Sequence, residues 1–219
     1  MAPRSRTPCA LAEQVVREKE LTRFADRVSA TRRRLPMTPV GDYTLDGPAG
    51  PLAFVDLFQG VERLVVQHFM FAPDWDAGCP SCSYAVDSSP RHLSHLRAEG
   101  IAHAVISHAP IGTIAAYQRR MGWDDLLWVS SANSPFNRDW GWTSDDGEVP
   151  GFSFYLLADG VGYLTYSTTG RGVEPVLSTV NLVDRTVYGR CEDWEDSPDG
   201  WPQHGTYDGP TRRHDEYDG

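Results

Sequence analysis

The chain has 219 residues, with 20 basic against 30 acidic side chains, a net charge of −10, 40% hydrophobic residues and 23% charged ones. This is a globular balance that excludes a disordered chain, and the acidic surface argues against general nucleic-acid binding because it repels phosphate. No run approaches the ~20 apolar residues of a membrane span, and no apolar signal region precedes Glu13 and Arg17, so the expectation is a cytosolic protein with no membrane partner.

Thr7-Pro8 reads as a helix start, a side-chain oxygen cap followed by proline at the first helical position. Leu11, Val15, Leu21, Phe24 and Val28 recur along one helical face, and the helix is expected to run to about Arg34, before Pro36. Residues 36–51 read as a connection around a short strand at Tyr43 to Leu45, and Pro51 to Phe58 as a segment containing a further short strand. Arg63 to Phe71 is an apolar run of strand length, suited to a central strand buried on both faces. After a loop and the cysteine pair comes a short or kinked helix, broken around Ser88-Ser89-Pro90 and resuming over Arg91 to Ala98.

Ile101 to Ser107 is a second buried strand. Ile111 to Met121 is a helix ended by Gly122, and Trp128 to Ser130 a third strand. Ala132 to Glu148 reads as loop. Gly151 to Leu157 and Val161 to Ser167 form a hairpin about Asp159-Gly160, and Val173 to Leu182 a closing helix. The expected organisation is an N-terminal amphipathic helix over 1–36, a core domain over 37–188 and an acidic, aromatic tail over 189–219. The order β-α-β-α-β, hairpin, helix is that of an α/β protein with a central mixed sheet flanked by helices. It matches the thioredoxin-like fold, with added N-terminal strands.

The four cysteines are Cys9, Cys79, Cys82 and Cys191, too few for a secreted disulfide scaffold. In Cys79-Pro80-Ser81-Cys82 two thiols can meet at the first turn of a helix, where unpaired N–H groups and the helix dipole stabilise a thiolate. In this reading Cys79 is the exposed nucleophile with a lowered pKa, Cys82 sits one turn inward and resolves the mixed disulfide, and Pro80 suits the first turn. Half of a zinc site, completed by His68, His103 or His108, and an inert structural pair are the alternatives. The dithiol reading needs no cofactor and no metal.

Two further features lie near the pair. Pro150, before the Gly151 strand, stands where thioredoxin-like proteins carry a cis-proline loop facing the cysteines. A cis Val149–Pro150 bond is therefore expected despite the rarity of such bonds, with Gly151 letting a substrate chain approach. Asp74-Trp75-Asp76, in the loop before Cys79, is read either as a set that selects substrate or shuttles protons or as a solvated loop around one packed tryptophan. Trp75, Asp76, Pro80, Pro150 and Gly151 are thus the candidate substrate-binding residues. His68 reads as a core histidine, and Cys9 and Cys191 as spectators.

His68-Phe69-Met70-Phe71 and Pro73-Asp74-Trp75-Asp76-Ala77-Gly78-Cys79-Pro80-Ser81-Cys82-Ser83 resemble a bacterial domain-of-unknown-function family of thioredoxin-like, predicted dithiol–disulfide oxidoreductases. The likeness runs through Tyr117 to Trp123, Phe136-Asn137, Asp139-Trp140-Gly141, Pro150-Gly151 and Tyr166-Ser167-Thr168 to the tail Arg213-His214-Asp215-Glu216-Tyr217. The resemblance implies the thioredoxin-like fold and redox roles for both cysteines. Two departures, Tyr84 to Ser89 in place of an aromatic pair with an Asp-Asn-Phe run, and Ser107-His108-Ala109-Pro110 in place of Ser-Arg-Ala-Pro, suit a member specialised for a small molecule. The expected activity is thiol–disulfide exchange with a protein or small-molecule disulfide, reset by an external reductant, in a chain whose long first helix would suit a homodimer. A metal-binding protein and a non-catalytic binding module around Trp140 and Trp142 are the competing readings.

Overall fold

A computed structural model of the protein describes residues 8–90, 92–192, 194–201 and 211–217. The chain divides into two units, Met1–Met37 and Thr38–Gly219. The first is built on α1 (Pro8–Arg32). Within it the Thr22 and Thr31 hydroxyls donate to carbonyls one turn back, and Arg34 donates to the Ala30 carbonyl at its C-terminal end. The expected cap, Thr7, lies outside the described residues.

The second unit opens with β1 (Thr38–Pro39), β2 (Thr44–Gly47) and β3 (Gly50–Ala53). The segment Pro51–Phe58, expected to contain a short strand, does so over Pro51–Ala53 in β3, and its remainder, Phe54–Phe58, is a 3-10 turn that buries Phe54, Leu57 and Phe58 on one side. Then come β4 (Arg63–Phe69), α2 (Pro80–Asp87), α3 (Ser94–Ala98), β5 (Ile101–Ser107), α4 (Ile111–Met121) and β6 (Leu127–Ser130). Arg91, the expected restart of the helix after Pro90, lies outside the described residues. The stretch expected as loop holds α5 (Phe136–Asp139) and a small hairpin, β7 (Thr143–Ser144) with β8 (Gly147–Glu148). It is followed by β9 (Gly151–Ala158) and β10 (Val161–Thr168), joined by Asp159-Gly160 with φ of 51° and 77°. Two successive left-handed residues match the right-handed twist of the strands they join. The closing helix is divided in two: Gly170–Val176 is 3-10, Leu177 is extended, and α6 covers Ser178–Val183. Pro175 lies within the 3-10 turn, and the Leu177 N–H closes that turn on the Glu174 carbonyl at 3.0 Å before the chain enters α6.

The strands form one sheet in the order β1-β10-β9-β4-β5-β6-β2-β3. β4, β5 and β6 run parallel, and β9 and β10 return antiparallel on the other flank of β4. This is the thioredoxin-like arrangement: a βαβ half and a ββα half meeting on the central strand, with β1 to β3 as additions at both edges. β4 is buried on both faces, so alternate side chains enter different cores. Leu64 and Val66 join Phe54, Phe58, Ile106, Phe136, Trp142 and Tyr155 on one face. Phe69 joins Cys82, Val86, Val105, Tyr117, Trp123 and Trp128 on the other.

Candidate active site

The site is built where β4 ends, at the edge of the sheet where the parallel strands have their carboxyl ends and where ligands bind in open α/β sheets. The loop after β4 turns back through Gly78, which is buried against the aromatic core. A Cβ there would lie 2.3 Å from the Phe69 ring and 3.0 Å from that of Tyr117, so only glycine lets the backbone pass this close. Cys79 is the N-cap of α2 and Pro80 its first residue, as the motif predicts. The Cys79 N–H donates to the Met70 carbonyl at 3.0 Å. The Cys79 carbonyl accepts from the Ser83 N–H at 2.9 Å and the Ser83 hydroxyl at 2.8 Å. Ser83 Oγ in turn lies 2.8 Å from the Tyr117 hydroxyl.

Cys82 is one turn further in and buried, while Cys79 is half-buried rather than fully exposed. The Cys82 carbonyl accepts from Gln67 Nε2 at 3.1 Å, which ties the first turn of α2 to β4. The two thiols differ in acidity. A hydrogen bond from the Cys82 thiol is the main force that brings Cys79 down to about 6; burial opposes it, and the N–H groups of Cys82 and Ser81 and the charge of Arg213 assist. Cys82 is driven the other way, well above the ordinary thiol range, by that same bond and by burial. A helix N-terminus beside a cation is the setting in which thiolates form at neutral pH.

The other candidate residues are placed differently. Trp75 and Asp76 are exposed on the loop leading to Cys79, with the Trp75 N–H closing a turn on the Ala72 carbonyl. The expected cis bond before Pro150 is absent, the described residues containing no cis peptide. The trans form is held by a mesh of local bonds: the Val149 N–H donates to the Trp142 carbonyl at 2.9 Å, and the Thr169 hydroxyl to the Pro150 carbonyl at 2.6 Å. Gly151 does not open a path for a substrate chain. It is buried, and its missing Cβ makes room for the Trp142 ring and the Thr168 carbonyl, 2.7 Å and 2.5 Å from where that atom would lie.

His68, a candidate third metal ligand, points away from the sulfurs. It follows Gln67 on β4 and therefore enters the opposite core, stacked on Trp142 with centroids 3.6 Å apart and bonded through Nε2 to Ser153 Oγ at 2.8 Å. His108 bonds Glu148 through Nδ1 at 2.8 Å, and His103 is buried in β5. Among the described residues no three His, Cys, Asp or Glu side chains are grouped to hold a metal ion. Cys191 is buried and unbridged, its thiol on the Tyr188 carbonyl at 3.1 Å; the Cys9 side chain lies outside the described residues. Residues absent from the sequence-based list are Gly78, Ser83, Tyr117, Gln67 and Arg213, which bonds the Gly78 carbonyl. Tyr117, Gly78, Ser83 and Arg213 do fall in the stretches that carried the family resemblance.

Residues 5–217 match the model of a family described as "Bacterial protein of unknown function (DUF899)". The protein belongs to this family. No curated protein matches this DUF899 member. Among solved structures it is similar to peroxidoxin BcpB from Mycobacterium tuberculosis, at 17% identity over 67% of this chain and 96% of that one, with a TM-score of 0.48. It is also similar to a mutant of PrxQ from Xylella fastidiosa, at 9% identity over 64% and 87%, TM-score 0.45. A third is a secreted Mycobacterium tuberculosis disulfide oxidoreductase homologous to E. coli DsbE, at 16% identity over 58% and 82%, TM-score 0.38. These likenesses are too distant to carry an activity across. No described helix is long and apolar enough to cross a membrane.

Proposed function

We propose that the protein is a thiol–disulfide oxidoreductase with Cys79 as nucleophile and Cys82 as resolving thiol. The observation that carries this is the unequal pair at one helix end: a half-buried thiol at the N-cap, favoured as the thiolate, and a buried thiol one turn inside that is held protonated. The Cys79 thiolate attacks one sulfur of a disulfide, and the other sulfur leaves as a thiolate that takes up a proton. Cys82 then loses its proton, attacks Cys79 and expels the second substrate thiol. The products are two substrate thiols and a Cys79–Cys82 disulfide, and an external dithiol or two monothiols return the pair to the reduced state. The substrate is a protein or small-molecule disulfide, and this cycle calls on no metal or organic cofactor.

Equilibration in glutathione redox buffers, followed by alkylation and mass spectrometry, tests the reading on the natural protein and on Cys79→Ser and Cys82→Ser. A reversible Cys79–Cys82 disulfide is expected in the natural protein, with Cys79 alkylating faster than Cys82 when reduced. Cys82→Ser should accumulate a mixed disulfide at position 79, and Cys79→Ser should accumulate none at position 82. A pair that never oxidises, or that alkylates at equal rates, overturns the proposal.

A further inference from the structure

Residues 211–217 lie against the cysteine helix. Arg213 donates to the Gly78 carbonyl from Nε at 2.9 Å and from Nη2 at 2.6 Å, across 135 positions of chain. Its Nη1 donates to Glu216 Oε1 at 2.6 Å, so each of the three guanidinium nitrogens makes a bond, and the side chain is only 17% exposed. The segment is pinned on both sides. Asp215 accepts from Arg120 of α4 at 2.6 Å and 3.2 Å, and His214 Nδ1 lies 2.9 Å from the Asp87 carboxylate at the end of α2. The Trp123 indole N–H donates to the same carboxylate at 2.8 Å.

The bond to Gly78 falls on one particular peptide. The Gly78 carbonyl and the Cys79 N–H belong to the same planar unit, and the N–H is already held by the Met70 carbonyl. Arg213 grips the opposite edge of that plane. With both edges held and Gly78 wedged on Phe69, the peptide cannot rock, and the direction of the Cys79 side chain is fixed from behind.

We infer that Arg213 is a positioning residue of the dithiol centre: it completes the clamp on the Gly78–Cys79 peptide, and the C-terminal segment is a working part of the site. The inference rests on the dithiol reading above. The guanidinium has a second effect, since its charge favours the Cys79 thiolate. Cys82 from α2 is the ionisable group bonded to the thiolate; Tyr117 from α4 and Glu216 from the segment itself act on the guanidinium, and Arg120 from α4 acts on both of those. Glu216 offsets part of the Arg213 charge and holds the fork in line.

The test uses the full chain, reduced, with the pH dependence of Cys79 alkylation as readout for Arg213→Gln, Arg213→Lys and Glu216→Gln. An opposite charge near a titrating group favours its charged form, and the Arg213 charge ranks behind the Cys82 and backbone hydrogen bonds at Cys79, so Arg213→Gln should slow alkylation below the midpoint about two- to three-fold. Arg213→Lys, which keeps the charge and loses the fork, should recover part of that rate. Glu216→Gln removes the offsetting charge and should raise the rate at the same pH. A merely structural role would lower the unfolding midpoint and leave the profile of the folded protein in place, and that result overturns the inference. Should Arg213→Gln fail to fold, an unchanged profile in both Arg213→Lys and Glu216→Gln overturns it equally. The natural protein separates the two ideas: if its cysteines cycle while these profiles stay fixed, only the role of Arg213 falls, and if they do not cycle, the dithiol reading falls first.

Discussion

Gly78→Ala puts the packing behind the cysteine helix to a direct test. The added methyl would sit 2.3 Å and 2.6 Å from two carbons of the Phe69 ring, where ordinary contact begins near 3.4 Å, so one of the two must retreat by about 1 Å. The ring has nowhere easy to go. It is held edge-on by Trp128 at 5.0 Å and Trp123 at 6.2 Å and tilted against Tyr117 at 6.1 Å between centroids. Overpacking a filled core costs about 1–3 kcal/mol, and a ring enclosed by three others belongs at the upper end. In a chain of this size each kcal/mol moves Tm by roughly 2–4 °C, so a fall of roughly 5–10 °C is expected. Urea unfolding of the reduced protein, followed by tryptophan fluorescence, should show the midpoint lowered with an unchanged slope. If Gly78→Ala unfolds at the natural midpoint, the backbone does not pass as close to Phe69 as argued, and the clamp on the next peptide loses its rear wall.

Cys82→Ala removes the hydrogen bond that does most to stabilise the Cys79 thiolate, so the ultraviolet thiolate absorbance should rise at a midpoint above about 6; a fixed midpoint would contradict the assigned cause. Burial holds His68 well below its ordinary range and His103 down to about 4. An unfolded chain therefore binds protons that the folded one refuses, and stability is present above the unfolded histidine pKa and lost as pH falls toward the folded values. The slope approaches about 1.4 kcal/mol per pH unit for each histidine, and urea midpoints between neutral pH and pH of about 4 should lose part of their fall in His103→Gln. Gly151→Ala would bring a methyl to 2.5 Å from the Thr168 carbonyl and should lower the unfolding free energy measured in urea by about 1–3 kcal/mol while sparing Cys79 alkylation; full stability would contradict the burial role given to this glycine.

Much of this molecule could be read locally. β4, β5, α4 and the β9–β10 hairpin announce themselves as apolar runs with clear stops at Gly122 and Asp159-Gly160, and the cysteine motif sits at the helix start its proline requires. What resisted reading was set by distant contacts or by parity. Because β4 is apolar on both faces, nothing in its sequence says that Gln67 rather than His68 looks toward the cysteines. The run Phe54–Phe58 has the composition of a strand, and its 3-10 form follows from packing three of its side chains into one core. The β7–β8 hairpin is only two residues a side, below the length at which alternation can be seen. The isomer at Pro150 depends on Trp142 and Thr169, and the approach of Arg213 to Gly78 on chain closure across 135 positions.

That separation has a consequence in time. A ribosome makes the two cysteines long before it reaches Arg213, and domains begin to fold as they emerge. The newborn pair therefore passes through synthesis with one edge of its peptide unsecured and without the guanidinium that sharpens its acidity. Until the Arg213 segment docks the nascent chain lacks that charge, so Cys79 is less acidic then than in the folded unit and less of it stands as the thiolate that oxidants attack.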